Sequence, residues 1–148
     1  MDIRIYVGVD CDESWLTVGF VGSQGILRGL SRTASPPPGC FDSFGQRLSG
    51  MVRGLRGEEN LRMKNFRAIG IGIPGRYLTS VRHGIEEQIK QALDIDSYVE
   101  DRAVLSVKGK VWLEQVAGMI RPHEHPRDWD LSVVYGAAKL AVDNTPRK

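Results

Sequence analysis

The sequence predicts an α/β fold built on one mixed sheet, in which an antiparallel meander is joined to parallel β-α units and helices flank the sheet. The start of the chain holds three short segments rich in branched residues, and short connections join them, which is typical of antiparallel hairpins. After residue 40, stripes of apolar residues at helical spacing alternate with short apolar runs. That alternation is typical of parallel strands connected by helices.

The meander is predicted over residues 3–9, 16–21 and 26–33. Leu16, Val18 and Phe20 share one face of the second segment, because side chains alternate along a strand. A turn at residues 22–25 joins the second segment to the third, and the prolines of residues 35–39 end the regular structure.

The rest of the chain predicts four amphipathic helices and two more strands. The strands are the apolar run at residues 68–73 and the short segment at 97–99. The helices carry Phe41, Phe44, Leu48, Met51 and Leu55; Val81, Ile85, Ile89 and Leu93; Trp112, Val116, Met119 and Ile120; and, over about residues 128–142, Leu131, Val134, Ala138 and Ala141. The resulting order βββ-α-β-α-β-α-α is that of ribonuclease-H-like folds and of each lobe of actin-like kinases. Residues 1–148 are therefore expected to form a single ribonuclease-H-like domain.

The composition indicates a globular protein. Hydrophobic residues make up 41% of the chain and charged residues 26%, with a net charge of +2. This balance permits nucleic-acid binding through local basic patches without requiring it. Cys11 and Cys40 lack the spacing of a metal site, no secretory signal precedes them, and no apolar run approaches the roughly 20 residues that span a bilayer. The expectation is a cytoplasmic protein without a membrane partner.

Asp10 is the first candidate for chemistry, because it stands at the predicted end of the first strand, where α/β folds bind ligands. Its carboxylate suits two roles, the ligation of a hard divalent cation such as Mg²⁺ or the start of a phosphate-binding turn. The second role normally requires glycines, and Cys11, Asp12 and Glu13 stand in their place. The structural alternative is that Asp10 only caps the strand turn.

Two other acidic groups are candidates to join Asp10 around a metal ion. Glu100 and Asp101 follow the fifth strand, where the alternative is a charged turn with Asp101 capping the next helix. Asp128 and Asp130 stand at the predicted start of the last helix, where the helix dipole favours carboxylates in any case. Because these two are only two residues apart, they cannot both face one cleft from a helix.

Over nearly its whole length, the chain resembles the RuvC-type Holliday junction resolvases, which are compact nucleases of the ribonuclease-H-like group. The opening YVGVDCDESWLTVGFVGSQGILRG resembles that family's first aspartate strand and the hairpin after it. The segments TSVRHGIEEQIKQALDI and SYVEDRAVLSVKGKVWLEQVAGMI resemble its later helix, strand and lysine-bearing loop. RDWDLSVVYGAAKLA resembles its final helix, which opens with acidic residues.

The resemblance implies a metal-dependent, structure-specific DNA endonuclease that hydrolyses phosphodiesters in branched DNA. It implies Asp10, Asp101 and Asp130 as catalytic acids. Two Mg²⁺ or Mn²⁺ ions, about 4 Å apart, would have ligands among Asp10, Glu100, Asp101, Asp128 and Asp130. The DNA backbone would be held by Arg76, Arg82, Lys108 and Lys110. A four-way junction needs two sites, which implies a symmetric homodimer.

The chain departs from that family's pattern at two places. The usual partner acid three residues before Asp130 is Arg127 here, and the fourth strand, IGIGIPG, holds no glutamate. Glu100 or Asp101 would then substitute, as in the related YqgF-type nucleases, whose acid follows the fifth strand.

The chain also resembles the first lobe of ROK-type sugar kinases and repressors, through GVDCDESWLTVGFVGSQGIL, AIGIGIPG, SYVEDRA and VVYGAAKLA. In that family a glycine-rich first turn holds phosphate, and an Asn-Asp pair follows the fifth strand. This chain has Asp12-Glu13 and Asp101-Arg102 at those places, and the resemblance covers one lobe, without the second lobe that closes over ATP in that family. This resemblance implies a catalytically inactive single lobe that acts as a binding or regulatory protein.

Overall fold

A computed structural model of the chain describes residues 3–37, 40–116 and 129–145. Its centre is a five-stranded sheet in the order β3-β2-β1-β4-β5. The strands are β1 (Ile5–Cys11), β2 (Trp15–Gly22), β3 (Leu27–Ala34), β4 (Phe66–Ile73) and β5 (Ser97–Asp101). The helices are α1 (Phe44–Glu58), α2 (Leu78–Leu93), α3 (Arg102–Val116) and α4 (Ser132–Asn144), and single 3₁₀ turns lie at Met63–Asn65 and Gly75–Tyr77.

The pairing of the strands confirms the predicted fold class. β2 runs antiparallel to both β1 and β3, whereas β4 runs parallel to both β1 and β5. The turn between β2 and β3 closes with a hydrogen bond from the backbone N–H of Gly25 to the carbonyl of Gly22 at 2.9 Å. Gly25 has φ +92°, which glycine adopts readily because it has no Cβ. A meander and parallel β-α units thus form one mixed sheet with helices around it.

Both faces of the sheet are buried, which explains the apolar runs in its central strands. Val7 and Val9 of β1 belong to the core that α1 and α2 cover, together with Leu48 and Ile85 from those helices. Tyr6 of β1 belongs to the opposite core, which α4 covers. Helix α3 packs along α4 on that second side.

β2 and β3 each end one residue later than the sequence predicts, and β1 and β5 each end two residues later, at the carboxyl edge of the parallel strands. β1 reaches Cys11, because Asp10 and Cys11 still pair with β2. β5 reaches Asp101 instead of residue 99, because Glu100 and Asp101 continue the parallel pairing with β4. Helix α3 therefore begins immediately at Arg102, with no loop between strand and helix.

The last helix was predicted to begin near residue 128, and this prediction was wrong, because the described residues 129–131 are not helical. Helix α4 begins at Ser132. Asp130 precedes it, and its side chain accepts a hydrogen bond from the backbone N–H of Ser132, a local interaction that favours the start of a helix over its interior. Met119, Ile120 and Asp128 lie outside the described residues. Among the described helices, none is both long and apolar enough to cross a membrane.

Candidate functional site

Asp10 lies at the carboxyl edge of the sheet, one residue before the end of β1. The parallel registers place Asp10 beside Gly72 of β4 and Gly72 beside Glu100 of β5. Residues in register point their side chains to the same face of a sheet, so Asp10 and Glu100 share one face. Asp101 is the next residue on β5, and its side chain belongs to the opposite face.

The partner of Asp10 is Arg102, the first residue of α3. Arg102 donates from Nε to Asp10 Oδ1 at 2.5 Å and from Nη2 to Asp10 Oδ2 at 3.3 Å. Asp10 is only 5% exposed, whereas the arginine side chain is 31% exposed. A Cβ built on Gly72 would lie 3.4 Å from Arg102 Cγ. The same Cβ would lie 2.7 Å from Val133 Cγ1, so Gly72 makes room chiefly for Val133 of α4, and the stem of the arginine passes beside it.

The electrostatics of the pair follow from its burial. Burial raises the pKa of Asp10 above its ordinary value of 3.8, and the hydrogen bond and charge of Arg102 offset part of that rise. The same hydrogen bond raises the pKa of Arg102, so the arginine stays charged. The pKa of Asp130 is lowered, chiefly by the hydrogen bond from the backbone N–H of Ser132 and in smaller part by the charge of Arg102.

Asp12 closes the turn between β1 and β2 with its own side chain. Its Oδ1 accepts hydrogen bonds from the backbone N–H of Ser14 at 2.7 Å and of Trp15 at 2.6 Å. A phosphate-binding turn presents such N–H groups to its ligand. Because the carboxylate already accepts both, this turn does not present them to a phosphate.

An open cleft of about 380 Å³ lies in front of this edge. It is lined by Asp12, Glu13, Ser14, Trp15, Pro74, Arg76 and Arg102. Arg76 forms an ion pair with Glu13 across the cleft. Trp15 is 46% exposed, and the guanidinium of Arg32 lies 5.6 Å from its ring centroid and 3.9 Å from that of Trp129. The charged groups of the cleft thus pair with one another, and Trp15 gives it an apolar surface.

The other predicted metal ligands take part in local hydrogen bonds. Asp130 Oδ1 accepts from the backbone N–H of Ser132 at 2.9 Å. Asp101 Oδ1 accepts from the backbone N–H of Ala103 at 2.9 Å, at the start of α3. Glu100 Oε1 accepts from the backbone N–H of Asp101 at 2.9 Å. These three acids lie near the edge, but each stabilises its own segment of backbone.

The described side chains around Asp10 do not form the ligand set of a two-metal centre. Within residues 3–37, 40–116 and 129–145, no group of three or more His, Cys, Asp or Glu side chains stands close enough to hold a metal ion. A guanidinium lies beside Asp10, and Gly72, the β4 residue in register with Asp10, has no side chain that could bind a metal ion. Asp128 lies outside the described residues. The assignment of Mg²⁺ or Mn²⁺ stays a prediction.

Three of the four basic residues predicted to contact DNA lie beside carboxylates. Arg76 pairs with Glu13, Arg82 Nη2 is 3.9 Å from Glu100 Oε1, and Lys108 Nζ is 3.4 Å from Asp143 Oδ2. The fourth, Lys110, is exposed on α3. Such pairing reduces the positive potential that a phosphate backbone would meet at this edge.

Sequence reasoning selects the acids of this edge and misses Arg102 as a site residue. The signal that points to it is a basic residue placed directly after a strand that ends in Glu100 and Asp101, at the edge that also holds Asp10. A buried carboxylate needs a compensating positive charge, and Arg102 is the basic residue closest to the end of β5.

Comparison with known proteins finds similar folds among solved structures. No protein-family model matches the chain, and no curated protein matches it in sequence. The ROK hexokinase from Thermus thermophilus is similar with a TM-score of 0.59 and 18% identity, covering 72% of this chain and 38% of that one. A ROK family glucokinase from Streptomyces griseus is similar with a TM-score of 0.58 and 21% identity, covering 72% and 36%. The chain thus spans less than two fifths of the length of these kinases.

A second group of solved structures matches nearly the whole length of the chain. RuvC from Thermus thermophilus, in complex with a Holliday junction substrate, has a TM-score of 0.55 and 12% identity, covering 96% of this chain and 97% of that one. At these identities the likeness shows the fold alone. The chain therefore has the mixed sheet that ribonuclease-H-like and actin-like proteins share.

Proposed function

We propose that this chain is a non-catalytic domain of the ribonuclease-H-like and actin-like fold group, which acts by binding a partner protein. The bidentate pair between Asp10 and Arg102 carries this proposal. A nuclease of this fold would need the Asp10 carboxylate free for a metal ion, and a kinase lobe would need backbone N–H groups free for phosphate. In this chain Arg102 donates hydrogen bonds to both oxygens of the Asp10 carboxylate. The side chain of Asp12 accepts the hydrogen bonds of the backbone N–H groups of Ser14 and Trp15.

The exposed side of α3 supports a binding role. Val104, Val107 and Val111 are 54%, 65% and 53% exposed, and their spacing sets them along one side of the helix. Leu105 and Trp112 occupy the buried side. Branched residues weaken an exposed helix relative to alanine or lysine. A partner's amphipathic helix laid along the valines would bury them, which is a common mode of recognition.

Turnover assays test the catalytic half of the proposal. The purified chain is incubated with a labelled four-way DNA junction in Mg²⁺ or Mn²⁺, and separately with ATP and free sugars. We expect no product above the background of the near-isosteric variant Asp10→Asn. Junction cleavage or sugar phosphorylation by the wild type that disappears in Asp10→Asn would overturn the proposal.

The binding half is tested by co-purification from the source cells. We expect a stoichiometric protein partner that is retained by the wild type and by Glu87→Ala, an exposed position on α2, away from the valine stripe. The partner should be lost with Val107→Asp, because a charge in the centre of the stripe would have to be buried without a counter-charge. Equal recovery with both variants would contradict the role of this face.

The second candidate is the metal-dependent nuclease, and the match to RuvC along nearly the whole chain favours it. In this alternative, branched DNA would draw Arg102 away from Asp10. Mg²⁺ or Mn²⁺ would then bind Asp10 with Asp130 and with Glu100 or Asp101. A homodimer would present two such sites to one junction. Cleavage that depends on Asp10 in the junction assay is the result expected of this candidate.

A further inference from the structure

Three of the six large hydrophobic side chains that are exposed among the described residues form one stripe on α3. Val104, Val107 and Val111 are three and four residues apart, which is the spacing of the a and d positions of a coiled-coil heptad. The next position of this row is Glu114, which is also exposed. The valine stripe is therefore apolar over about two helical turns and ends at an acid.

The charged positions that flank the valine stripe on α3 are both lysines. Lys108 comes four residues after Val104 and three before Val111, so it lies along one side of the stripe. Lys110 comes three residues after Val107 and lies along the other side. In a pair of packed helices these are the e and g positions, whose charges set which partner a helix accepts.

The groups around the two lysines leave the flanks of the stripe positive. Lys108 Nζ lies 3.4 Å from Asp143 Oδ2, and Lys139 Nζ lies 3.2 Å from the other oxygen of the same acid. Asp143 thus lies between two lysines and compensates only one of them. On the other flank Lys110 is exposed and forms no ion pair with a described residue, and Asp130 is the acid on which its charge acts. The flanks therefore favour a surface that carries negative charge.

A second copy of α3 fits this pattern of charges poorly. In an antiparallel pair about a two-fold axis, Val107 of one copy packs against Val111 of the other. Each copy of Lys108 then lies close to the other copy of Lys108, and the same holds for Lys110. A parallel pair brings two copies of Glu114 together within the seam. Because like charges at such positions destabilise a helix pair, a different helix fits the stripe better.

We infer that the valine stripe binds an amphipathic helix of another protein, whose short apolar seam is flanked by acidic residues. The seam would bury the valines, and the acids would pair with Lys108 and Lys110. A membrane surface fits less well, because interfacial helices insert Trp, Phe or Leu, and this stripe holds valine alone. The inference rests on the proposed function and adds the chemistry of the partner.

The test compares two synthetic peptides that bind to the full chain, with fluorescence anisotropy as the measurement. Both peptides contain about three heptads, the same leucine seam and the same hydrocarbon staple on the outer face. They differ only in carrying glutamate or lysine beside the seam. We expect the glutamate-flanked peptide to bind roughly tenfold more tightly at low salt, because each flank changes from attraction to repulsion between the two peptides. High salt should reduce this preference, because the charges are exposed.

Charge reversal on α3 should reverse the preference. Lys108→Glu/Lys110→Glu should bind the lysine-flanked peptide more tightly than the glutamate-flanked one. If the glutamate at position 108, which would face Asp143, prevents folding, Lys110→Glu alone should still reduce the wild-type preference. The matched control is Lys64→Glu/Arg67→Glu, which changes the net charge equally at exposed positions outside α3. It should keep the preference of the wild type.

The outcomes separate a failure of this inference from a failure of the proposed function. Equal binding of both peptides, or no binding of the glutamate-flanked one, would overturn the inference. The proposed function would stand in either case if co-purification still recovers a partner that Val107→Asp loses. Two further results would assign the stripe to another occupant and also overturn the inference. One is dimerisation of the wild type that Val107→Asp abolishes, and the other is Val107-dependent binding to vesicles of phosphatidylserine and phosphatidylcholine.

Discussion

Gly136 of α4 lies so close to Leu105 of α3 that a Cβ added to Gly136 would overlap the Leu105 carbonyl oxygen. The contact has a counterpart one turn further along, where a Cβ on Gly109 would overlap the carbonyl oxygen of Ser132. The two helices therefore touch backbone to backbone. This contact sets the position of α3, and with it the position of Arg102 at the start of that helix.

Gly136→Ala should lower the free energy of unfolding by about 2–3 kcal/mol, since the added methyl group meets a backbone that cannot rotate away. Gly54→Ala in α1 is the matched control, because nothing lies within 4 Å of a Cβ at that position. It should raise stability by about 0.5–1 kcal/mol through helix propensity. Urea unfolding measures both. Equal effects of the two substitutions would contradict the close helix contact.

Neighbouring positions on α3 should respond in opposite ways to truncation. Leu105 is 1% exposed and Val107 is 65% exposed. Leu105→Ala should lower the free energy of unfolding by about 2–5 kcal/mol, because it leaves a cavity between α3 and α4. Val107→Ala should leave stability unchanged or raise it by up to about 0.5 kcal/mol, because alanine is the better helix former. A large loss of stability in Val107→Ala would show that the valine stripe serves the fold of the domain itself.

Asp10 and Asp130 should have opposite effects on stability as the pH changes. Because burial raises the pKa of Asp10 above 3.8, its neutral form is favoured in the folded state. Its contribution is therefore fully present below pH 3.8 and is lost as the pH rises through the folded pKa. The stability of the wild type relative to Asp10→Asn should fall as the pH rises.

For Asp130, whose pKa is lowered by the hydrogen bond from Ser132, the sign is reversed. The stabilising contribution is present above the ordinary value of 3.8 and is lost as the pH falls through the folded pKa. The stability of the wild type relative to Asp130→Asn should therefore increase as the pH rises. Urea unfolding of the three proteins between about pH 3 and pH 7 checks both signs. Differences that do not vary with pH would count against the two pKa directions.

The two cysteines should differ sharply in reactivity. Burial raises the pKa of Cys11 to about 11, and the residue is 3% exposed, whereas Cys40 is exposed. Because the thiolate is the reactive form, iodoacetamide should modify Cys40 in the folded protein and Cys11 only after unfolding. Mass spectrometry with and without urea measures this, and Cys40→Ser serves as the control that should take up no label when folded. Labelling of Cys11 in folded Cys40→Ser would contradict the buried position of the thiol.

Local pattern was enough to predict the order of the elements and the class of sheet. Hairpin spacing, helical stripes and the buried run at residues 68–73 each depend on residues close together in the chain. The ends of β1 and β5, at the carboxyl edge of the sheet, were harder to predict. β5 includes Glu100 and Asp101 because β4 is there to pair with them, and that neighbour comes from a distant segment.

The acids of the site were likewise visible in the sequence, because carboxylates at strand ends have a local signature. Their partner was not. Asp10 and Arg102 are 92 residues apart, and no local pattern says whether a buried carboxylate will meet a metal ion, a phosphate turn or an arginine. The parallel pairing of β1, β4 and β5 and the contact of α3 with α4 bring the two together. Sequence pattern thus placed candidate acids near the ends of the first and fifth strands, whereas the partner of Asp10 depends on which distant side chain the packed helices bring to it.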